Sequence, residues 1–303
     1  MRQCVIGGLA LVTMTAADAS AQAANLDIGD VAAKIVVVTE PRADVVASVI
    51  KTNPRLPLII TRQGDGLSIR GSIKQTWWSG LFHRQLISCK FDARGASVGV
   101  MGIGGFHEAD LPLVLVRAPL DAKISTAGGV VGSLPTADSL ALEVKGCDSW
   151  TIGRIKGRMT LNDSGVVRLR VGSAGAMTTQ VAGSGDVAIG AVTDGLQVEQ
   201  AGVGQFRAGR VSGPVSVQVS GQGNVRILGG HASDLSVTIA GVGQVIYGGL
   251  ADTLEATIAG EGEVEVAQVL GPVQKTVAGV GKIVVGGMGP PVGASSPPLG
   301  RGH

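Results

Sequence analysis

Long apolar runs are absent from this sequence, although its mean hydropathy is +0.35. No run reaches the length of about 18 residues that a membrane-crossing helix needs, so an integral helical membrane protein is excluded. Aromatic side chains are scarce, with three Trp, one Tyr and four Phe in 303 residues. Charge is also sparse, at 16% of residues, and nearly balanced at a net +2. The basic residues read as scattered along the chain, and no nucleic-acid-binding motif stands out, so no nucleic-acid partner is expected. What the chain has instead is 48 Gly among many Val residues. That composition implies short strands joined by tight turns.

The first 23 residues follow a different logic. Arg2 gives a short positive start, Val5 to Val12 is a brief apolar core, and Ala19-Ser20-Ala21 and Ala21-Gln22-Ala23 are both A-x-A cleavage sites. The pattern is that of a secretory signal peptide. Cys4 precedes the apolar core, which excludes a lipoprotein lipobox. Two cysteines remain after cleavage, Cys89 and Cys147. In an oxidising compartment they form a candidate disulfide, with two buried free thiols as the alternative.

The dominant signal is internal repetition. Gly-x-Gly recurs at Gly183/Gly185, Gly202/Gly204, Gly221/Gly223, Gly241/Gly243, Gly260/Gly262 and Gly279/Gly281, stepping by about 19 residues. Apolar residues alternate on both sides of each pair, as in Leu235-x-Val237-x-Ile239 before and Val245-x-Tyr247 after. A period of two means a strand with one buried face. Two short strands bent at a glycine corner cannot bury that face alone, but stacked copies can. The fold expected is an all-β, right-handed parallel β-helix. Glycine at the corner is expected to supply positive φ and close backbone approach. A third inward position falls at Val192, Val211, His231, Leu250 and Val269; His231 lies in the one 20-residue step and is expected to be displaced outward.

The boundaries expected are a signal peptide at 1–23, an N-terminal β cap at 24–120, β-helix repeats at 121–287, and a flexible Gly/Pro-rich tail at 288–303. Gln63-Gly64-Asp65-Gly66 signals a hairpin within the cap. Trp77, Trp78, Phe82, Phe91 and Phe106 crowd into the same segment. They read as a local mini-core, and Trp77, Trp78 and Phe82 are the candidates for stacking on sugar rings.

Catalytic signatures are missing. Asp186 follows one Gly-x-Gly, but later coils carry Gln205, Asn224, Gln244, Glu263 and Lys282 there, which excludes a stacked calcium column. Glu261, Glu263 and Glu265, with Glu255 one strand earlier, are the only clustered acids, and they read as a solvated rim rather than an acid–base pair. His83, His107 and Glu108 lack metal-ligand spacing. No cofactor is expected.

The repeated A-G-x-G-x-V unit, the stretch Val181-Ala-Gly-Ser-Gly-Asp-Val187, and the segment from Ala137-Asp138-Ser139-Leu140 to Gly146-Cys147-Asp148-Ser149-Trp150-Thr151-Ile152-Gly153 resemble the head-GIN domain family of auto-transporter-adhesin-like proteins. The resemblance spans about residues 30 to 287. It implies a β-helical envelope protein of unassigned biochemical role and carries over no catalytic residue. The function expected is a non-enzymatic, adhesin-like binding or scaffold protein of the periplasm or cell surface, meeting a glycan or an envelope protein. The outward ladder expected to meet that partner is Gln197/Glu199, Ser216/Gln218, Ser236/Thr238, Glu255/Thr257 and Gln274/Thr276. The alternatives are a polysaccharide-active enzyme and a structural solenoid that self-assembles by coil stacking into a homo-oligomer.

Overall fold

The computed structural model describes residues 24–71, 87–92 and 95–286. The expected leader, Trp77, Trp78, Phe82 and His83, and the expected tail lie outside the described residues.

Alternating apolar side chains become stacked rows because each coil pairs in parallel with the next. Leu196, Val215, Leu235, Leu254 and Val273 are successive partners in one row. Val187, Phe206, Val225, Val245 and Val264 form another. Both rows point inward, and except for the terminal Val273 they are buried. The result is a parallel β-solenoid of about nine turns with about 19 residues per coil. Among the described residues the single helical element is a short 3-10 turn, Glu108–Asp110.

The glycine corners work differently from the expectation. Among the glycines, positive φ occurs at Gly64, Gly102, Gly104, Gly195, Gly213, Gly230 and Gly286, and at none of the repeated corner pairs from Gly183/Gly185 to Gly279/Gly281. The constraint is contact between coils. A Cβ on Gly202 would lie 1.9 Å from the Gly183 carbonyl oxygen, and one on Gly221 would lie 2.1 Å from that of Gly202. The same collision recurs at Gly241, Gly260 and Gly279, each 2.0 Å from the carbonyl of the corner glycine before it.

The coils also begin earlier than the expected boundary. Strand Asn25–Thr39 pairs in parallel with Asp121–Ala137 above it and with Gly66–Gly71 and Leu113–Ala118 below it. It therefore forms the first full layer of the stack. Below that layer the pairing turns antiparallel: Leu58–Gln63 lies on Gly66–Gly71 through a hairpin at Gly64, and Val46–Lys51 lies on Leu113–Ala118. A separate three-stranded sheet, Ile87–Asp92, Gly95–Val100 and Gly104–His107, packs Val98, Val100 and Phe106 against Ala32 and Val131 of the solenoid. Cys89 of this sheet and Cys147 of the solenoid are paired, with Cα atoms 5.9 Å apart.

The C-terminal end is built from Val273–Val277 and Val280–Val285, with no further described coil over them. Val273 and Val277 are 40% and 47% exposed, whereas their row partners Leu235 and Ile239 are 0% exposed. Lys275 occupies the inward column above Val198, Val217, Val237 and Ala256. Its ammonium donates to the Ile283 carbonyl at 3.3 Å. In the 20-residue coil His231 points outward and bonds Asp252 at 2.8 Å, while Ala232 takes the inward place.

The corner contact makes a sharp contrast testable. Gly221→Ala is expected to lower stability by about 1–3 kcal/mol or more, as overpacking against rigid backbone does. Gly229→Ala meets nothing within 4 Å, and its expected effect is within about 0.5 kcal/mol. Urea unfolding midpoints of the two variants check this; equal midpoints would contradict the steric account.

Candidate functional site

Stacking aligns outward side chains as strictly as inward ones. On one side of the solenoid Arg170, Ala188, Arg207 and Arg226 are successive partners in a single row. The adjacent row holds Arg168, Asp186 and Gln205. Beyond the arginines runs a column of glycines, Gly172, Gly190 and Gly209, each close against the carbonyl of the coil below. With no side chains on that column and only a methyl at Ala188, the surface dips into a groove of about 560 Å³. Arg170, Arg207 and Arg226 line it, and the exposed Leu228 borders one end.

Electrostatics organise this face around one carboxylate. Asp186 receives Arg170 at 3.1 Å and Arg207 at 3.4 Å, and Arg168 lies 4.0 Å away. Arg168 also donates to the Phe91 carbonyl at 3.1 Å and lies over the Phe91 ring at 5.1 Å. That ties the groove's rim to the sheet held by Cys89. Arg226 is exposed and has no ion pair among the described residues. These arginines looked scattered in sequence. Coil stacking gathers them, and reading the chain in steps of one coil would have shown it.

The expected polar ladder stands on another side. Gln197, Ser216, Ser236, Glu255 and Gln274 form one outward row, and Glu199, Gln218, Thr238, Thr257 and Thr276 the next. A smaller hollow of about 310 Å³ at its corner is lined by Arg158, Asp194 and Asp234.

The acids separate into two populations. At the acidic corner, Lys282 bonds Glu263 at 2.6 Å and Gln244 donates to it at 3.4 Å. The Lys282 hydrogen bond holds the Glu263 carboxyl below the usual range. Glu108 is paired with Lys34 at 2.8 Å, and no group of three His, Cys, Asp or Glu is placed to hold a metal among the described residues. The second population is interior. Asp148 is fully buried and its pKa is pushed up to about 7 by desolvation, against hydrogen bonds from Thr126, Trp150 and the Val130 amide. Burial likewise raises Asp163 to about 6, with the Gly165 amide donating at 3.0 Å. Neither acid was singled out from sequence, though Asp148-x-Trp150-x-Ile152 and Met159-x-Leu161-x-Asp163 place both on the inward phase.

Residues 192–289 match a family model described as "Putative auto-transporter adhesin, head GIN domain". Solved structures to which the chain is similar include a "putative adhesin" of Bacteroides fragilis, 12% identical, with 86% of this chain and 91% of that one covered at a TM-score of 0.36. Another, also titled a "putative adhesin", is from Parabacteroides distasonis, 14% identical, covering 87% and 92% at a TM-score of 0.34. No curated protein matches the chain.

The interior acids predict a pH dependence. A carboxyl whose pKa is raised on folding binds its proton more tightly in the native state, so stability falls as pH rises from the unfolded value, about 4, to the folded one. For Asp148 the window is about pH 4 to 7, and the loss is at most about 4 kcal/mol. Asp163 adds a smaller loss between about pH 4 and 6. Thermal melts from pH 4.5 to 7.5 are expected to show a falling Tm, with a shallower slope in Asp148→Asn. An identical slope in the variant would rule out Asp148 as the source.

Proposed function

We propose, from the match of residues 192–289 to the head GIN domain model, that this chain is an exported, adhesin-like binding and scaffold protein of the cell envelope that performs no catalysis. The observation that carries the reading is the regularity of the outward rows. Flat sides with repeating polar groups suit an extended partner, as solenoid surfaces generally do. Trp77, Trp78 and Phe82 remain candidate stacking groups for a sugar.

The alternative of a polysaccharide-active enzyme needs an acid that holds a proton beside a groove. The carboxyls whose pKa values are raised, Asp148 and Asp163, are buried inside the solenoid. Glu263, the central acid at the surface, is held in its charged form by Lys282. The alternative of coil-on-coil assembly meets Lys275. Another coil on the C-terminal end would bury its ammonium, and an inward charge at an edge opposes such pairing.

Export is supported by the leader pattern of residues 1–23 and by the Cys89–Cys147 pairing, which suits an oxidising compartment. N-terminal sequencing of the envelope fraction is expected to begin at Gln22 or Ala24, and thiol titration without reductant to find no reactive cysteine. A retained leader with two free thiols would overturn the export reading.

The function itself is tested with residues 24–303 on a glycan array and in an envelope pull-down, with a product assay on every bound glycan. Binding without product is expected, weakened in Trp77→Ala and in Trp78→Ala. Product release would overturn the non-enzymatic reading.

A further inference from the structure

The geometry points to the arginine-lined groove over Ala188 and the Gly172–Gly190–Gly209 column as a site for the carboxylates of a linear acidic polysaccharide, a polymer of uronate residues. This inference rests on the binding reading above and deepens it by naming the ligand class and the residues.

Three features carry it. The first is the donor set. Guanidinium groups match carboxylates in a planar, forked geometry. The face already holds one carboxylate, because Asp186 takes single contacts from Arg170 and Arg207 with Arg168 beside them. Arg226, at the end of the same row, has no ion pair among the described residues and is exposed. The second is spacing. Arg207 and Arg226 sit on neighbouring coils and Arg170 two coils before Arg207, so along the solenoid axis the cations stand about 4.8 Å and about 9.6 Å apart. A ligand with carboxylates at regular intervals along an extended chain can meet more than one of them at once, which multiplies affinity. The third is the floor. Bare backbone at the glycine column and the methyl of Ala188 let a sugar ring come close, and exposed Leu228 offers an apolar edge to its C–H face.

Other polyanions fit less well. A single-stranded nucleic acid wants aromatic platforms for its bases, and none lines this groove. An anionic membrane wants projecting apolar groups beside the cations, and Leu228 stands alone here.

Polygalacturonate is the probe, and its fully methyl-esterified form is the control, since that keeps the backbone and removes the charge. With residues 24–303 at fixed salt, the expected result is binding of polygalacturonate and at least about tenfold weaker binding of the ester. Arg226→Gln is expected to weaken polygalacturonate binding at least about tenfold with an unchanged melting curve. Asp186→Asn is the complementary variant. It removes the internal carboxylate that competes for Arg170 and Arg207, so affinity is expected to rise. A purely structural role for these residues would give the reverse or nothing. Equal binding of the ester, an unchanged affinity in Arg226→Gln, or unchanged or weaker binding in Asp186→Asn would overturn the proposal. So would binding of an oligonucleotide or of phosphatidylglycerol vesicles as tight as that of polygalacturonate. If the array finds a different ligand whose binding ignores Arg226, the groove assignment falls and the binding function stands. If nothing binds in either experiment, both fall.

Discussion

At each corner of the solenoid, the carbonyl oxygen of one coil occupies the space where a side chain of the next would begin. Gly183, Gly202, Gly221, Gly241, Gly260 and Gly279 are stacked so that any Cβ would fall within 2.1 Å of the carbonyl below it. Parallel hydrogen bonding sets the distance at which successive coils pair and fixes which residue lies over which. At that distance the corner has no room for a Cβ, so the glycine recurs with the coil and the period in sequence matches the rows in space. A shift of one residue would send Leu235, Val237 and Ile239 to solvent and their polar neighbours inward. The apolar rows hold the coils together, but they would tolerate exchange among Val, Leu and Ile. A side chain at the corner, by contrast, has to displace backbone.

A stack of this kind is nearly one-dimensional, and its chemistry is confined to rows and ends. Along one side the rows make the Gln197-to-Thr276 ladder, and along another they make the arginine row around Asp186. The two ends are finished by different means. The N-terminal layer Asn25–Thr39 is closed by strands whose outer partners run antiparallel, and the edges there carry Lys51 and Arg62. At the C-terminal end Lys275 replaces an inward aliphatic and turns its ammonium to the Ile283 carbonyl. An end of that kind has polar work to lose if another coil is added.

Legibility in the sequence tracks locality. The alternation in Leu235-x-Val237-x-Ile239 and the step between Gly221 and Gly241 are readable because a strand and its neighbour lie one period apart. The displacement of His231 is readable for the same reason, since one extra residue changes the phase. The first layer is harder: Asn25–Thr39 carries no Gly-x-Gly, and its lower partners come from residues 66–71 and 113–118, so no period links them. The reason for the corner glycines was half legible. Composition shows that glycine is needed, but only the register between coils shows that contact and not backbone φ demands it. The arginine row was hidden by reading along the chain rather than across coils. Trp77, Trp78 and Phe82 lie outside the described residues, so their grouping rests on sequence alone.

The least repetitive coil explains how so repetitive a stack keeps one register. Apolar coils that resemble one another can in principle slip by a whole period, because each offers the same row of aliphatics to its neighbour. Near residue 148 no such exchange is open. The Trp150 ring fills the space above Gly132, where a Cβ would lie 2.3 Å from it. Its indole N–H donates to Asp148 at 3.3 Å, and Asp148 also accepts from Thr126 and from the Val130 amide. Cys147, the residue before, is joined to Cys89 of the outlying sheet. Each of these partners is unique to one layer, so a slipped stack would leave Asp148 and the indole N–H buried without partners, at roughly 1–3 kcal/mol for each group. The buried acid costs stability as pH rises, and it makes the wrong registers cost more. On that argument the irregular layer sets the alignment from which the regular coils, and the arginine row they carry, are counted.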